Sequence, residues 1–121
     1  MAIWVSTGAF DVSNVRDVRK KASQLDITNI ELSSGLSCDL RDQEYIIKQA
    51  ESKEKNFLVH NYFPAPKIPF VLNIASTDEK KIVQTKTFAK RAIDLSFRLG
   101  APFYSLHAGF AASLQPNFLG Q

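Results

Sequence analysis

Short apolar runs alternate with longer amphipathic stretches along the chain. Ile3-Trp4-Val5-Ser6-Thr7 is apolar and β-branched and is broken by Gly8, which fits a buried strand entering a turn. From Asp11 the period changes. Val12, Val15, Val18, Ala22 and Leu25 recur every three or four residues, while Arg16, Arg19, Lys20 and Lys21 fall on other faces, which predicts an amphipathic helix. Ile27 to Leu32 reads as a second strand stopped by Ser33-Ser34-Gly35, and Tyr45, Ile46, Ile47 and Ala50 give the apolar side of a second helix over about Arg41 to Lys53.

Phe57-Leu58-Val59-His60 is the third strand. Pro64, Pro66 and Pro69 exclude a regular element after it, and a connection from Asn61 to about Ala75 is longer than a βα turn needs. Ser76 with Glu79 predicts a capping box for the third helix, with Ile82, Ala89, Ala92, Ile93, Ser96 and Leu99 on one face and Gly100 and Pro102 as its stop. Phe103 to His107 is the fourth strand. Ala111 to Gln121 reads as a loop or a short helical tail.

The order β-α-β-α-β-α-β, with strands expected to be apolar on both faces, predicts an α/β fold with a parallel sheet. Right-handed crossovers make 1-2-3-4 the simplest strand order. The architecture expected is a parallel (β/α) half barrel of about four strands and three helices, with residues 1–121 forming a single partial (β/α)8 domain. Such a half barrel is expected to leave strands one and four with open edges and to expose apolar inward side chains. A homodimer through those edges, or a longer protein containing this segment, would cover them.

Composition narrows the setting. At 121 residues, with 45% hydrophobic and 22% charged residues, the chain has the content of an ordinary globular domain. The net charge of +3 is spread over several segments and does not form the stripe expected of a nucleic-acid binder. A lone cysteine, Cys38, excludes an internal disulfide, the run from Met1 to Gly8 has no positive n-region and is too short for a signal h-region, and no apolar run reaches about 18 residues, so a cytoplasmic location without membrane contact is expected.

The candidate chemistry lies at the strand ends. His60 and His107 are the chain's two histidines, and both end strands that would emerge at the carboxyl edge, where α/β folds place ligands. They could share a metal or each could bond a neighbouring carbonyl. Glu31 could ligate or orient an imidazole, and Asn61 could bind a substrate hydroxyl or cap its own loop. Thr7 ends strand one at the same edge. Tyr62, Phe63 and Phe70 could wall a pocket or pack over the barrel mouth. Cys38 has no local partner, and no Gly-rich phosphate loop, CxxC pair or GxSxG elbow is present.

Four runs carry a resemblance: Ile30-Glu31-Leu32-Ser33-Ser34-Gly35, Val59-His60-Asn61-Tyr62-Phe63-Pro64, Leu72-Asn73-Ile74-Ala75-Ser76, and Leu99-Gly100-Ala101-Pro102 through His107-Ala108-Gly109. Together they resemble the amino-terminal half of the xylose isomerase-like TIM-barrel superfamily, which includes sugar phosphate isomerases and epimerases and endonuclease IV-type abasic-site nucleases. The resemblance implies a divalent metal (Zn, Mn, Mg or Co) at the barrel mouth. It matches His60 and His107 to ligand positions of the nuclease branch and makes Glu31, Asn61, Tyr62 and Thr7 candidates for substrate binding. In the isomerase branch most ligands and the proton-moving carboxylates come from later strands, so the site in this chain is expected to be incomplete. The function this implies is metal-dependent isomerisation or epimerisation of a sugar or sugar phosphate, with activity alone in doubt. The alternatives are a zinc phosphodiesterase acting on abasic DNA and a non-catalytic half-barrel binding or assembly module.

Overall fold

The computed structural model describes residues 2–110; the expectation for Ala111 to Gln121 lies outside the described residues. Four parallel strands, β1 (Val5–Ser6), β2 (Asn29–Leu32), β3 (Asn56–His60) and β4 (Tyr104–Ser105), form one sheet in the order β1-β2-β3-β4. Helices α1 (Val15–Gln24), α2 (Leu40–Glu51) and α3 (Glu79–Arg98) connect them. This is the α/β half barrel expected from the alternation of periods. The strands at either end are shorter than the apolar runs suggest: Thr7–Ala9 turns into a 3-10 helix, and β4 pairs over two residues only.

All three helices end in the same way, although only one has glycine to do so. Asp26, Lys53 and Gly100 each take a left-handed conformation (φ 55°, 58° and 65°) just past the helix end. The next residue's N–H then reaches back five residues: Ile27 to Ala22, Glu54 to Gln49 and Ala101 to Ser96. This is the Schellman arrangement, which satisfies carbonyls the helix leaves open. At the other end, α1 is capped by Asn14, and α2 by Asp39 in a reciprocal box with Asp42. The cap of α3 is Asp78, whose carboxylate accepts from the N–H groups of Lys80 and Lys81. The expected Ser76 cap is therefore displaced by two residues. Ser76 instead accepts from the N–H of Asp78 and braces the cap.

Register assigns the two faces of the sheet. Val5, Ile30 and Phe57 are aligned partners, as are Leu32, Val59 and Tyr104, and this row packs on Val15, Val18, Ile46, Ala92 and Leu95 of the helices. The other row holds Ser6, Asn29, Glu31, Asn56, Leu58, His60 and Ser105. At the paired positions the inward face is thus polar except for Leu58, which corrects the expectation of strands apolar on both faces. Its polar groups pair across strands, Asn56 Nδ2 donating to Asn29 Oδ1 at 2.8 Å and His60 Nδ1 sharing a 2.8 Å hydrogen bond with Ser105 Oγ. Ile93, expected on the buried face of α3, is 52% exposed; Thr85, Ala92, Leu95 and Ser96 form that face.

Candidate functional site at the carboxyl edge

His60 closes β3, and His107 follows β4 by two residues, so parallel pairing brings both imidazoles to one edge of the sheet. Their ring centroids are 5.6 Å apart in an edge-on arrangement. When His60 Nδ1 carries the proton and donates to Ser105 Oγ, its Nε2 lone pair is left for a ligand. Asn61 organises the junction. In a left-handed conformation (φ 46°), it donates its backbone N–H to the Ser105 carbonyl at 2.7 Å and accepts from the Tyr104 hydroxyl and the His107 N–H.

A cavity of about 660 Å³ opens beside His107, with Asn61 and Ser34 as its other polar groups and Tyr62, Phe70, Leu72 and Phe110 among its walls. Tyr62 accepts from the Leu72 N–H at 2.6 Å, its ring meets Phe70 edge-on at 6.3 Å and Phe88 tilted at 6.2 Å, and Phe70 meets Phe88 edge-on at 5.7 Å, the three rings tying the proline loop to α3. Burial pushes both tyrosines up. It drives Tyr104, which also lies near the Tyr62 phenol, to about 12, and the backbone hydrogen bond from Leu72 offsets the effect at Tyr62 only in part. Both are protonated donors at neutral pH.

A second amide closes the floor. Asn73, 5% exposed, accepts from the N–H groups of Ala75 and Phe110 through Oδ1 and donates from Nδ2 to the Phe110 carbonyl, while its own N–H goes to Thr85 Oγ1. Ile74 N–H adds a bond to the Ala108 carbonyl. The loop after β3 is thereby stitched to the loop after β4.

The structure brings His60, His107, Asn61 and Tyr62 together, with Phe70 as a wall. It does not bring Thr7 or Glu31 to the cavity. Thr7 is buried, and its hydroxyl bonds the Ser33 side chain at 3.0 Å and receives the Ser33 N–H at 2.9 Å, so it locks the β1 turn to the β2 turn. Glu31 sits lower on the inward face, between Ser6 and Leu58. Phe63 is no pocket wall either, being fully buried in the core. Ser105 and the fastening role of Asn73 went unread in the sequence. Ser105 had no signal of its own, and Asn73 lay in the quoted Leu72 to Ser76 run without a partner to give it meaning.

Two imidazoles at this separation suit one metal ion: bonds of about 2.1 Å to a nitrogen of each ring put the centroids about 5 to 6 Å apart at tetrahedral angles. Among the described residues no three side chains of the His, Cys, Asp or Glu types come together as a ligand set. The pair could thus supply at most two ligands to a metal ion. Comparison with family models, curated proteins and solved structures returns no match to the chain. Among the described residues no helix is long and apolar enough to cross a membrane.

Cys38 lies after β2, away from the imidazoles. Burial, then the carboxylates of Asp42 and Asp39, push its thiol up to about 12. A thiol shifted upward stays protonated through pH 8, so iodoacetamide should alkylate it about a hundredfold more slowly in the folded chain than in urea. Equal rates in the two states, measured by mass spectrometry, would contradict this environment.

Proposed function

We propose that the chain forms the amino-terminal half of a metal-dependent sugar isomerase or epimerase barrel and supplies one wall of its binding site and two of its metal ligands. The observation that carries this reading is the His60 and His107 pair at the edge of the aromatic-walled cavity. A divalent metal bound there would polarise a carbonyl or hydroxyl of the sugar. The chain's own groups bind and orient. Asn61 meets hydroxyl groups, and the faces of Tyr62 and Phe70 cover the apolar C–H face of a ring and keep water off it.

None of the cavity-lining residues among those described is Lys or Arg. A neutral sugar therefore suits this wall better than a sugar phosphate, and the same absence of phosphate partners disfavours abasic DNA. Glu31 and the open edges of β1 and β4 belong to the reading as places where later strands or a second copy would complete the barrel. Without them the chain is a binding half barrel with no carboxylate among the described residues that line the cavity. The half-buried single thiol fits a reducing, cytoplasmic setting.

The test is metal competition against a chromophoric chelator with Zn²⁺ and Mn²⁺, followed by titration of the loaded chain with neutral aldoses and aldose phosphates. We expect one metal equivalent per chain, loss of at least tenfold in affinity in His60→Ala and in His107→Ala, and tighter binding of neutral sugars. Absence of metal binding together with no sugar-dependent change in tyrosine fluorescence overturns the reading.

A further inference from the structure

A second concavity, about 1090 Å³, runs between α2 and α3 on the far side of the proline loop from the imidazoles. One stripe of α3 lines it: Gln84, Phe88, Arg91, Leu95 and Arg98, spaced four, three, four and three residues apart. That spacing keeps a single face along the groove over fifteen residues, a span of about 21 Å. The Pro64–Phe70 segment walls one end. At the other, an ion pair from Arg98 to Glu44 bridges the two helices.

The groove is charged unevenly. Arg41, Lys67 and Arg91 line it without an ion pair among the described residues. On the acidic side, Asp39 is engaged in capping α2, and Asp94 is the one other carboxylate in the lining. Leu40 and Ile68 stand 76% and 78% exposed on the same concavity. Both leave most of their apolar surface uncovered.

We propose that this groove docks an acidic amphipathic helix of a partner protein. A segment of about four turns matches its length, apolar residues at i, i+3, i+4 and i+7 would cover Leu40, Ile68 and Phe88, and carboxylates flanking that stripe would meet Arg41, Lys67 and Arg91. The exposed Leu40 and Ile68 and the half-buried Phe88 call for an occupant with an apolar face, which a nucleic-acid duplex does not present. Ala65, Pro66 and Phe70 border both this groove and the imidazole cavity, but the cations and the exposed Leu40 and Ile68 belong to the groove alone, and the proposal does not depend on the sugar reading.

The test uses fluorescence anisotropy with the full chain and a labelled sixteen-residue Leu/Glu helical peptide, against a Leu/Lys peptide of the same pattern. We expect saturable binding of the acidic peptide alone, weakening as salt is raised. The double variant Arg41→Glu, Arg91→Glu should bind it at least tenfold more weakly, and Lys20→Glu on α1 should leave binding unchanged, with far-UV circular dichroism confirming that both are folded. Failure to bind, equal binding of the two peptides, or an affinity indifferent to the double variant overturns the proposal. Concentration-dependent self-association abolished by Arg41→Glu, Arg91→Glu also overturns it, by assigning the groove to a second copy.

Discussion

Gly109→Ala should destabilise the chain by about 3 kcal/mol or more. Gly109 has φ +129°, a conformation that L side chains rarely adopt, and a Cβ built there lies 2.1 Å from Asn73 Oδ1 and 3.1 Å from Asn73 Cα. The side-chain oxygen cannot simply swing away, because it accepts from both Ala75 and Phe110 and sits on a residue 5% exposed. Backbone strain of about 1 to 3 kcal/mol therefore adds to the cost of stranding buried polar groups, itself about 1 to 3 kcal/mol. Urea unfolding should show a lower midpoint with little change in slope. A midpoint equal to that of the parent would mean that the two loops are not fastened through Asn73. Because the same stitch holds the segment carrying His107, metal affinity should fall in this variant even under conditions where it remains folded.

The second large effect is expected at Phe63, where alanine should cost about 3 to 5 kcal/mol. Phe63 is fully buried, and it belongs to the cluster that also holds Phe57, Val59 and Leu99. It is the point at which the proline loop enters the core. Tyr62 and Phe70, on either side of it, wall the cavity, so losing the anchor should loosen the wall as well as the core. Lys67 is exposed in that loop, and trypsin cleavage after it should accelerate markedly in Phe63→Ala while Phe63→Leu stays close to the parent. Unchanged cleavage in the alanine variant, with stability lost, would show that the rings of Tyr62, Phe70 and Phe88 hold the loop without Phe63.

The imidazole pair was legible because two independent local signals coincide. Each histidine ends a short apolar run, and strands joined by helical crossovers lie parallel, so their ends reach one edge. Asn61, Tyr62 and Phe70 followed from sitting just past β3. Thr7 was equally well placed by that logic and still failed as a ligand, because Ser33 on the neighbouring turn takes up its hydroxyl. Proximity in sequence to a strand end says where a residue emerges and nothing about which partner it finds first.

By itself, then, the sequence determined the order and type of elements, the helical faces formed by Val15, Val18, Ala22 and by Ile46 and Ile47, the stop at Gly100, and the shared edge of His60 and His107. These depend on period, on backbone freedom and on chain direction, all of which are local. Only the tertiary structure decided that the paired positions of the inward face are polar but for Leu58, that Asn73 fastens two loops around Gly109, and that α2 and α3 leave a cationic groove between them. Those outcomes depend on register and on long-range hydrogen bonds between residues dozens of positions apart, which no local pattern encodes. A one-residue change of register would have turned Glu31 and His60 toward the helices and Ile30 and Val59 toward the open face.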